Sequence, residues 1–363
     1  MKKFILFIFL LLPVSLFLSG CGGADKQAES DTTTDRVTVY TTVYPLYYFT
    51  ERIGGEFVNV ETIYPPGADE HTFEPSQKDM MKLADSDLFV YVGLGLEGFV
   101  EKAKETLKNE NVKLLAAGEN IHFDDHEEGH DNEGEESHEE EGHDHEGEEN
   151  HEEEGHDHEG EENHEEEGHD HEGEENHEEE GHEEHNHGDV DPHVWIDPVY
   201  SKDLAEAIKN ELIVLLPEHK EQMEENFNNL ATELDDLNKE FDEVIHHAKH
   251  KEFIVSHSAY GYWEHRYGLE QISVSGISTS QEPSQKQLEK IISTAKEHDL
   301  KYIFFEQNVS SKLAEIVQKE LNAKTLTLHN LSVLTDEDLK SEKNYFSIMK
   351  DNLKALDTAL NDK

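Results

Sequence analysis

The sequence predicts an α/β protein of two lobes, each a parallel sheet of βαβ units, joined by one long rigid helix. Three observations carry that expectation. Short apolar runs alternate with amphipathic ones from Val37 to Ala116. The same rhythm returns from Phe253 to Leu360. Between them a single apolar stripe runs through a helix of roughly 30 residues. Strands that alternate with helices argue for parallel crossovers rather than hairpins.

Taken in order, the first strand is expected at Val37 to Val43, then a helix near Tyr47 to Ile53 and a second strand at Val58 to Tyr64. A helix follows at Gln77 to Ala84, a strand at Leu88 to Val92, a helix at Glu97 to Leu107 and a strand at Val112 to Ala116. After Pro217, apolar residues fall at Met223, Phe227, Leu230, Leu234, Leu237, Phe241 and Val244, in steps of four and three. A helix of that length, about 45 Å, exceeds what one small lobe needs and suits a rod packed along both. A two-chain coiled coil is the competing reading, but about four heptads without an e/g charge code make a weak zipper. The second lobe is expected as strand Phe253 to Val255, helix Tyr260 to Tyr267, strand Gln271 to Val274 and helix Gln285 to Glu297. Strand Tyr302 to Phe305, helix Ser311 to Leu321, strand Thr325 to Leu328 and a closing helix ending near Leu360 complete it. The boundaries are then 37–216 for the first lobe, 217–248 for the linking helix and 249–363 for the second lobe.

The N-terminus decides the compartment. Lys2 and Lys3 precede an apolar stretch from Phe4 to Leu18, too short for a comfortable bilayer span, so residues 1–20 read as a signal peptide. Leu18-Ser19-Gly20-Cys21 resembles a bacterial lipobox, which implies a lipid attached at Cys21, the single cysteine of the chain. The plainer alternative is an ordinary signal followed by an unpaired thiol. Residues 21–36, rich in Asp, Thr and Gly, read as a flexible tether. The expected location is extracytoplasmic, with the chain held at the cell membrane by that lipid.

The chain has 363 residues, 85 Asp plus Glu against 30 Lys plus Arg, and a formal net charge of −55. A polyanion is repelled by nucleic acid and by anionic lipid, so neither is an expected partner. The charge is concentrated. Residues 124–188 hold 34 acidic residues and 15 histidines with no apolar side chain, while the remainder has ordinary globular composition. Within this insert HEEEGHDHEGEEN begins at His138, His151 and His164, and a degraded copy begins at His177. Such a segment has nothing to bury and is expected to be disordered. Its H-D-H steps, His143 with His145, His156 with His158 and His169 with His171, read as auxiliary low-affinity metal sites. A purely polar spacer is the alternative. His126 to His130 matches H-E-x-x-H, but a Gly lies inside it and nothing apolar flanks it, so the zinc-protease reading is discarded.

Three other histidines sit where ligands collect, beyond the carboxyl ends of strands or in rigid loops. His71 lies in Gly67-Ala68-Asp69-Glu70-His71-Thr72-Phe73-Glu74-Pro75-Ser76 after the second expected strand. His193 lies in Asp191-Pro192-His193-Val194-Trp195-Ile196-Asp197-Pro198, stiffened by two prolines. His257 follows the strand Phe253 to Val255. Each alone would more often be a hydrogen-bonded structural histidine. Glu306 directly follows the apolar run Tyr302 to Phe305, where it could cap the next helix or face a cleft. Asn308 or Ser310 is the more natural cap. A buried carboxylate needs a positive partner, and a metal ion is one.

These segments, together with the lipobox, Ser256-His257-Ser258-Ala259-Tyr260 and Phe304-Phe305-Glu306-Gln307-Asn308, resemble the metal-binding cluster A-I, or cluster nine, solute-binding proteins of bacterial ABC importers. The likeness covers residues 37–363 and is closest to the zinc-uptake branch. It implies two lobes with a metal site in the interlobe cleft, ligands His71, His193, His257 and Glu306, and delivery of Zn²⁺ to a membrane permease driven by a cytoplasmic ATPase. It also implies a non-enzymatic, monomeric receptor.

The donor chemistry agrees. Three imidazoles and one carboxylate suit tetrahedral Zn²⁺, whereas manganese prefers oxygen, and the manganese branch typically has a carboxylate at the position of His257. Affinity is expected to weaken below about pH 6.5, as the histidines protonate. The alternatives are a manganese-type receptor of the same family and a secreted zinc hydrolase that uses the same histidines with an open water position. Adhesion through the insert is compatible with transport.

Overall fold

The computed structural model describes residues 36–123, 190–307 and 311–362. The expected signal peptide, Cys21, the tether up to residue 35 and the insert 124–188 with its paired histidines lie outside the described residues.

The first lobe runs β1 (Val37–Thr41), α1 (Tyr44–Gly54), β2 (Val58–Thr62), α2 (Gln77–Ala84), β3 (Leu88–Tyr91), α3 (Val100–Leu107) and β4 (Lys113–Ala116). Beyond the insert come α4 (Pro198–Leu215) and the long α5 (Lys220–His246). The second lobe runs β5 (Glu252–Val255), α6 (Gly261–Tyr267), β6 (Glu270–Ser273), α7 (Gln285–Glu297), β7 (Tyr302–Phe305), α8 (Lys312–Leu321) and β8 (Lys324–Thr327). It closes with α9 (Asp336–Lys340) and α10 (Tyr345–Asn361).

Both sheets are four-stranded and parallel throughout, in the orders β2-β1-β3-β4 and β6-β5-β7-β8. Each lobe therefore reverses its direction of growth once, between β1 and β3 and between β5 and β7. Clefts open at the carboxyl ends of strands flanking such a switch. A parallel sheet is covered on both faces, so β3 reads as a continuous apolar run, and all four of its residues are buried.

Local chemistry sets the helix ends. Ser76 with Asp79 and Ser284 with Gln287 form capping boxes at α2 and α7, each satisfying two otherwise unpaired backbone donors. Gly268 after α6 takes the left-handed conformation at φ +67°, which glycine adopts without steric cost. The N-cap of α8 is Ser311, which accepts from Ala314 N–H at 3.1 Å; the expected caps Asn308 and Ser310 lie outside the described residues.

α4 is not among the elements expected above. Asp197 caps it by accepting from the Val199 and Tyr200 amides, and Pro198 occupies its first turn. Its buried residues include Leu204, Ala205, Ile208 and Leu212, and the small residues among them blur the apolar period.

The rod is α5, three residues shorter at its start than expected because Pro217–His219 forms a 3-10 turn. Met223, Leu230, Leu234, Leu237 and Phe241 of the expected stripe are buried, Phe227 and Val244 are half-buried, and Ile245 is also buried. The helix packs on α1 and α4 of the first lobe and on α6 and α10 of the second. A continuous apolar core runs from Val39 through Phe241 to Leu356.

Polar ties cross the same joint. Trp263 Nε1 donates to the Ile196 carbonyl at 3.0 Å, and Arg266 meets Asp197 at 2.5 Å. Tyr345 Oη donates to the Trp195 carbonyl at 3.0 Å. Among the described residues no helix is long and apolar enough to cross a membrane.

Candidate metal centre

The loop that carries His71 is shaped by Asp69. Its Oδ1 accepts from the His71 amide at 2.9 Å and from the Thr72 amide at 3.2 Å, the local turn that short acidic side chains favour. Its other oxygen crosses to the second lobe and accepts from Thr279 Oγ1 at 2.7 Å. One aspartate thus fixes the loop internally and ties it to the segment above the cleft.

His193 is wholly buried beside Trp195. Asp191 Oδ1 accepts from both the backbone amide and Nδ1 of His193, at 3.0 and 2.7 Å. A carboxylate only accepts, so Nδ1 carries the ring hydrogen and Nε2 presents a lone pair. That Nε2 lies 3.2 Å from Nε2 of His71. Two imidazole nitrogens turned on one another at this distance share one hydrogen or one cation.

His257 comes from the other lobe, just past β5. Its Nδ1 meets Glu306 Oε1 at 2.8 Å, and its Nε2 meets the Ile277 carbonyl at 2.6 Å. Both partners are acceptors, so both nitrogens carry hydrogens and the ring is cationic. Burial opposes that charge, but the Glu306 carboxylate outweighs it and holds the ring at about 9 instead of its ordinary 6.5. The expected onset of weakening, about pH 6.5, therefore moves upward for this residue.

The three rings converge, with centroids 5.0 to 5.5 Å apart. One ligand atom from each of His71, His193 and His257 lies within 4.8 Å of the other two, a geometry in which a single ion can be held. Glu306 is not part of that group. Its Oε1 lies 2.8 Å from His257 Nδ1. Asp191 lies on Nδ1 of His193, opposite the Nε2 that faces His71, and such a partner fixes the tautomer and raises ligand basicity.

Three further residues belong to the site and are absent from the expected set. Asp191 lies inside a motif read above, but its partner is visible only in three dimensions. Glu70 is 4% exposed, and burial followed by the charge of Glu306 raises its pKa. Asn330, just beyond β8, donates from Nδ2 to Glu70 Oε1 at 3.0 Å and to Glu306 Oε2 at 3.3 Å. No local sequence signal marks Asn330. Its neighbours come from both lobes.

Comparison with known proteins agrees with this arrangement. The chain matches the family model described as zinc-uptake complex component A, periplasmic, over residues 39–359. It is 34% identical over 345 residues to the zinc-binding lipoprotein AdcA of Streptococcus pneumoniae R6, covering 94% of this chain and 58% of that protein. It is 33% identical over 353 residues to the high-affinity zinc uptake system protein ZnuA of Bacillus subtilis strain 168, covering 97% of each. The chain thus spans 58% of the length of the first relative and nearly all of the second. The crystal structure of the Zn(II)-bound ZnuA-like domain of S. pneumoniae AdcA aligns with a TM-score of 0.64 at 31% identity, over 90% of this chain and 99% of that one. A family match from the first strand to the last helix, on a fold with two parallel sheets and three converging imidazoles, settles descent: the chain belongs to the zinc-uptake complex component A family.

Proposed function

We propose that this protein is an extracytoplasmic receptor that captures Zn²⁺ in the interlobe cleft and hands it to the permease of an ABC importer. The observation that carries the reading is the convergence of His71, His193 and His257, from separate loops of both lobes, to within 4.8 Å. A nitrogen-rich set at that spacing suits Zn²⁺, and the relatives are named for zinc. The imidazoles hold the ion with Glu306 as the fourth ligand, its Oε1 2.8 Å from His257 Nδ1 beside the three-histidine group.

The core shared by the lobes and the ties at Trp195, Trp263 and Tyr345 make closure small, so the receptor works as a rigid cradle. Lipid attachment at Cys21 would keep it beside the permease and its ATPase, and the receptor acts as a monomer. The manganese-type alternative needs more oxygen donors than the imidazole group offers. The hydrolase alternative needs a free base, whereas both oxygens of Glu306 are engaged, by His257 and by Asn330.

Phe123, the described residue just before 124–188, lies beside the site. It packs on Tyr262, whose hydroxyl donates to the Asp191 carbonyl two residues before His193. The histidines of 124–188 would raise the local zinc concentration without forming the high-affinity site. Calorimetric titration of a variant lacking residues 124–188 tests the assignment. One tight zinc site, lost on His71→Ala, is expected. A trimmed protein that binds no zinc, when the full chain does, overturns it.

A further inference from the structure

Gly261 is the first residue of α6, a place where glycine weakens a helix. Its φ lies outside the left-handed region, so backbone conformation does not call for glycine. Space does. A Cβ built on Gly261 would lie 2.9 Å from Asp191 Oδ2 and 3.4 Å from Gln271 Nε2. At the shorter distance the two atoms overlap, and one of them must move.

The carboxylate so close to Gly261 is the one that holds His193. Asp191 Oδ1 accepts from the His193 amide at 3.0 Å and from its Nδ1 at 2.7 Å. A carboxylate is planar and rigid, so a push on Oδ2 is carried to Oδ1. The main chain cannot absorb it. Asp191 precedes Pro192, which confines its backbone to extended conformations, and its carbonyl accepts from Tyr262 Oη.

The helix is held as firmly. Gln271 Oε1 accepts from the Tyr260 amide at 3.4 Å, and Glu264, in the first turn of α6, accepts from the Gln271 amide and Nε2, both at 2.9 Å. Farther along, Trp263 and Arg266 bond to Ile196 and Asp197. The segment 191–197 of the first lobe thus lies along one helix of the second, tied at Asp191, Ile196 and Asp197.

From this geometry we propose that Gly261 is a positioning residue for the metal site: the space left by its missing side chain seats the Asp191 carboxylate, so the second lobe sets the tautomer and aim of His193 on the first. The inference rests on the zinc-receptor reading and deepens it. A methyl group at position 261 displaces the carboxylate, loosens its bond to Nδ1 and frees the ring to turn. His193 remains in the cleft, but its Nε2 no longer points steadily at the ion.

The test is a double-mutant cycle in the full-length protein: parent, Gly261→Ala, Asp191→Ala and the double variant. Zinc dissociation constants are measured by competition with a chelator tight enough that only the high-affinity site competes, and thermal melting followed by circular dichroism checks the fold. Gly261→Ala is expected to weaken zinc binding by about tenfold, the lower end for loss of a ligand's hydrogen-bonded support. Alanine is the better helix former, so a role confined to the helix predicts no such loss. Asp191→Ala should cost at least as much. The double variant should bind zinc within about twofold of Asp191→Ala alone, because without the carboxylate the methyl group has nothing to displace.

Costs that multiply in the double variant overturn the inference, since Gly261 then acts independently of Asp191. A folded Gly261→Ala or Asp191→Ala variant with the parent's affinity overturns it too. If Gly261→Ala does not fold, the double variant decides: a fold regained without the carboxylate supports the seat, and a double variant that is also unfolded refutes it. If the parent itself binds no zinc through His71, the receptor reading fails instead.

Discussion

Zinc that reaches His257 must displace a proton, and the structure says how tightly that proton is held. Both ring nitrogens face acceptors, Glu306 at 2.8 Å and the Ile277 carbonyl at 2.6 Å, and the ring's pKa is raised to about 9. The sign follows directly: the unliganded protein holds the proton below about pH 9, and the bound ion excludes it. Apparent zinc affinity should therefore rise nearly tenfold per pH unit just above pH 7 and level off near pH 9, about fiftyfold in all, or about 2.3 kcal/mol. An imidazole of ordinary pKa would give only about a 1.3-fold change over that range. Chelator competition across the range measures the slope. Calorimetry at about pH 7.5 in buffers of different ionisation enthalpy counts the protons, with roughly one expected from His257. Glu306→Gln removes the carboxylate that retains the proton and should flatten the slope. Release of less than about 0.3 proton together with a flat profile in the parent would refute the reasoning.

The other expectations follow from single contacts. Asp191→Ala frees the His193 ring from its 2.7 Å anchor and should weaken zinc binding by about 10- to 100-fold by competition assay, with little change in apoprotein melting. His257→Glu should move the metal found on protein purified without added metal from zinc toward manganese, with weaker zinc retention, by elemental analysis. Phe241→Ala removes a fully buried ring that packs on Trp263 and Tyr267 and should cost about 3–5 kcal/mol in urea unfolding. Burial raises the carboxyl of Glu97 from 4.5 to about 7, against the opposing hydrogen bonds from Val92, Thr42 and Gly93. The folded state then binds that proton more tightly than the unfolded one. The Glu97 contribution is therefore intact below about pH 4.5 and declines by about 3 kcal/mol as pH rises to about 7, a decline that Glu97→Gln should remove.

Much of the fold was legible because parallel strands advertise themselves. An inner strand buried on both faces must be an apolar run, as β3 and β5 are, and all eight strands between Val37 and Leu328 fall within a residue or two of their expected ends. The α5 stripe was legible for the converse reason: one face meets both lobes, so apolar residues recur with the helical period. α4 lacks that contrast. Packed against α1 on one side and α5 on another, it buries Ser201, Ala205 and Ala207 along with its leucines, and a helix covered on several faces shows no clean amphipathic period. Its start signal, Asp197-Pro198, was present in the sequence and was the better guide.

The site divides along a related line. The histidines are legible because each stands in a segment with its own punctuation: a strand end before His257, prolines around His193, and Gly67 and Asp69 ahead of His71. What surrounds them is set by which loops the fold brings together. Glu306 follows β7 and His257 follows β5, neighbouring strands that register Val255 against Phe304, so the carboxylate arrives beside the ring with no sequence proximity. Asn330 follows β8, the strand on the other side of β7, and reaches Glu70 from 260 residues away in the chain. Residue type alone assigns Glu306 to the ion, because a buried carboxylate seeks positive charge. The structure places that carboxylate 2.8 Å from His257 and 3.3 Å from Asn330, inside the cleft where the three imidazoles converge. Residue type thus names the candidate donors, and the strand order decides which of them meet.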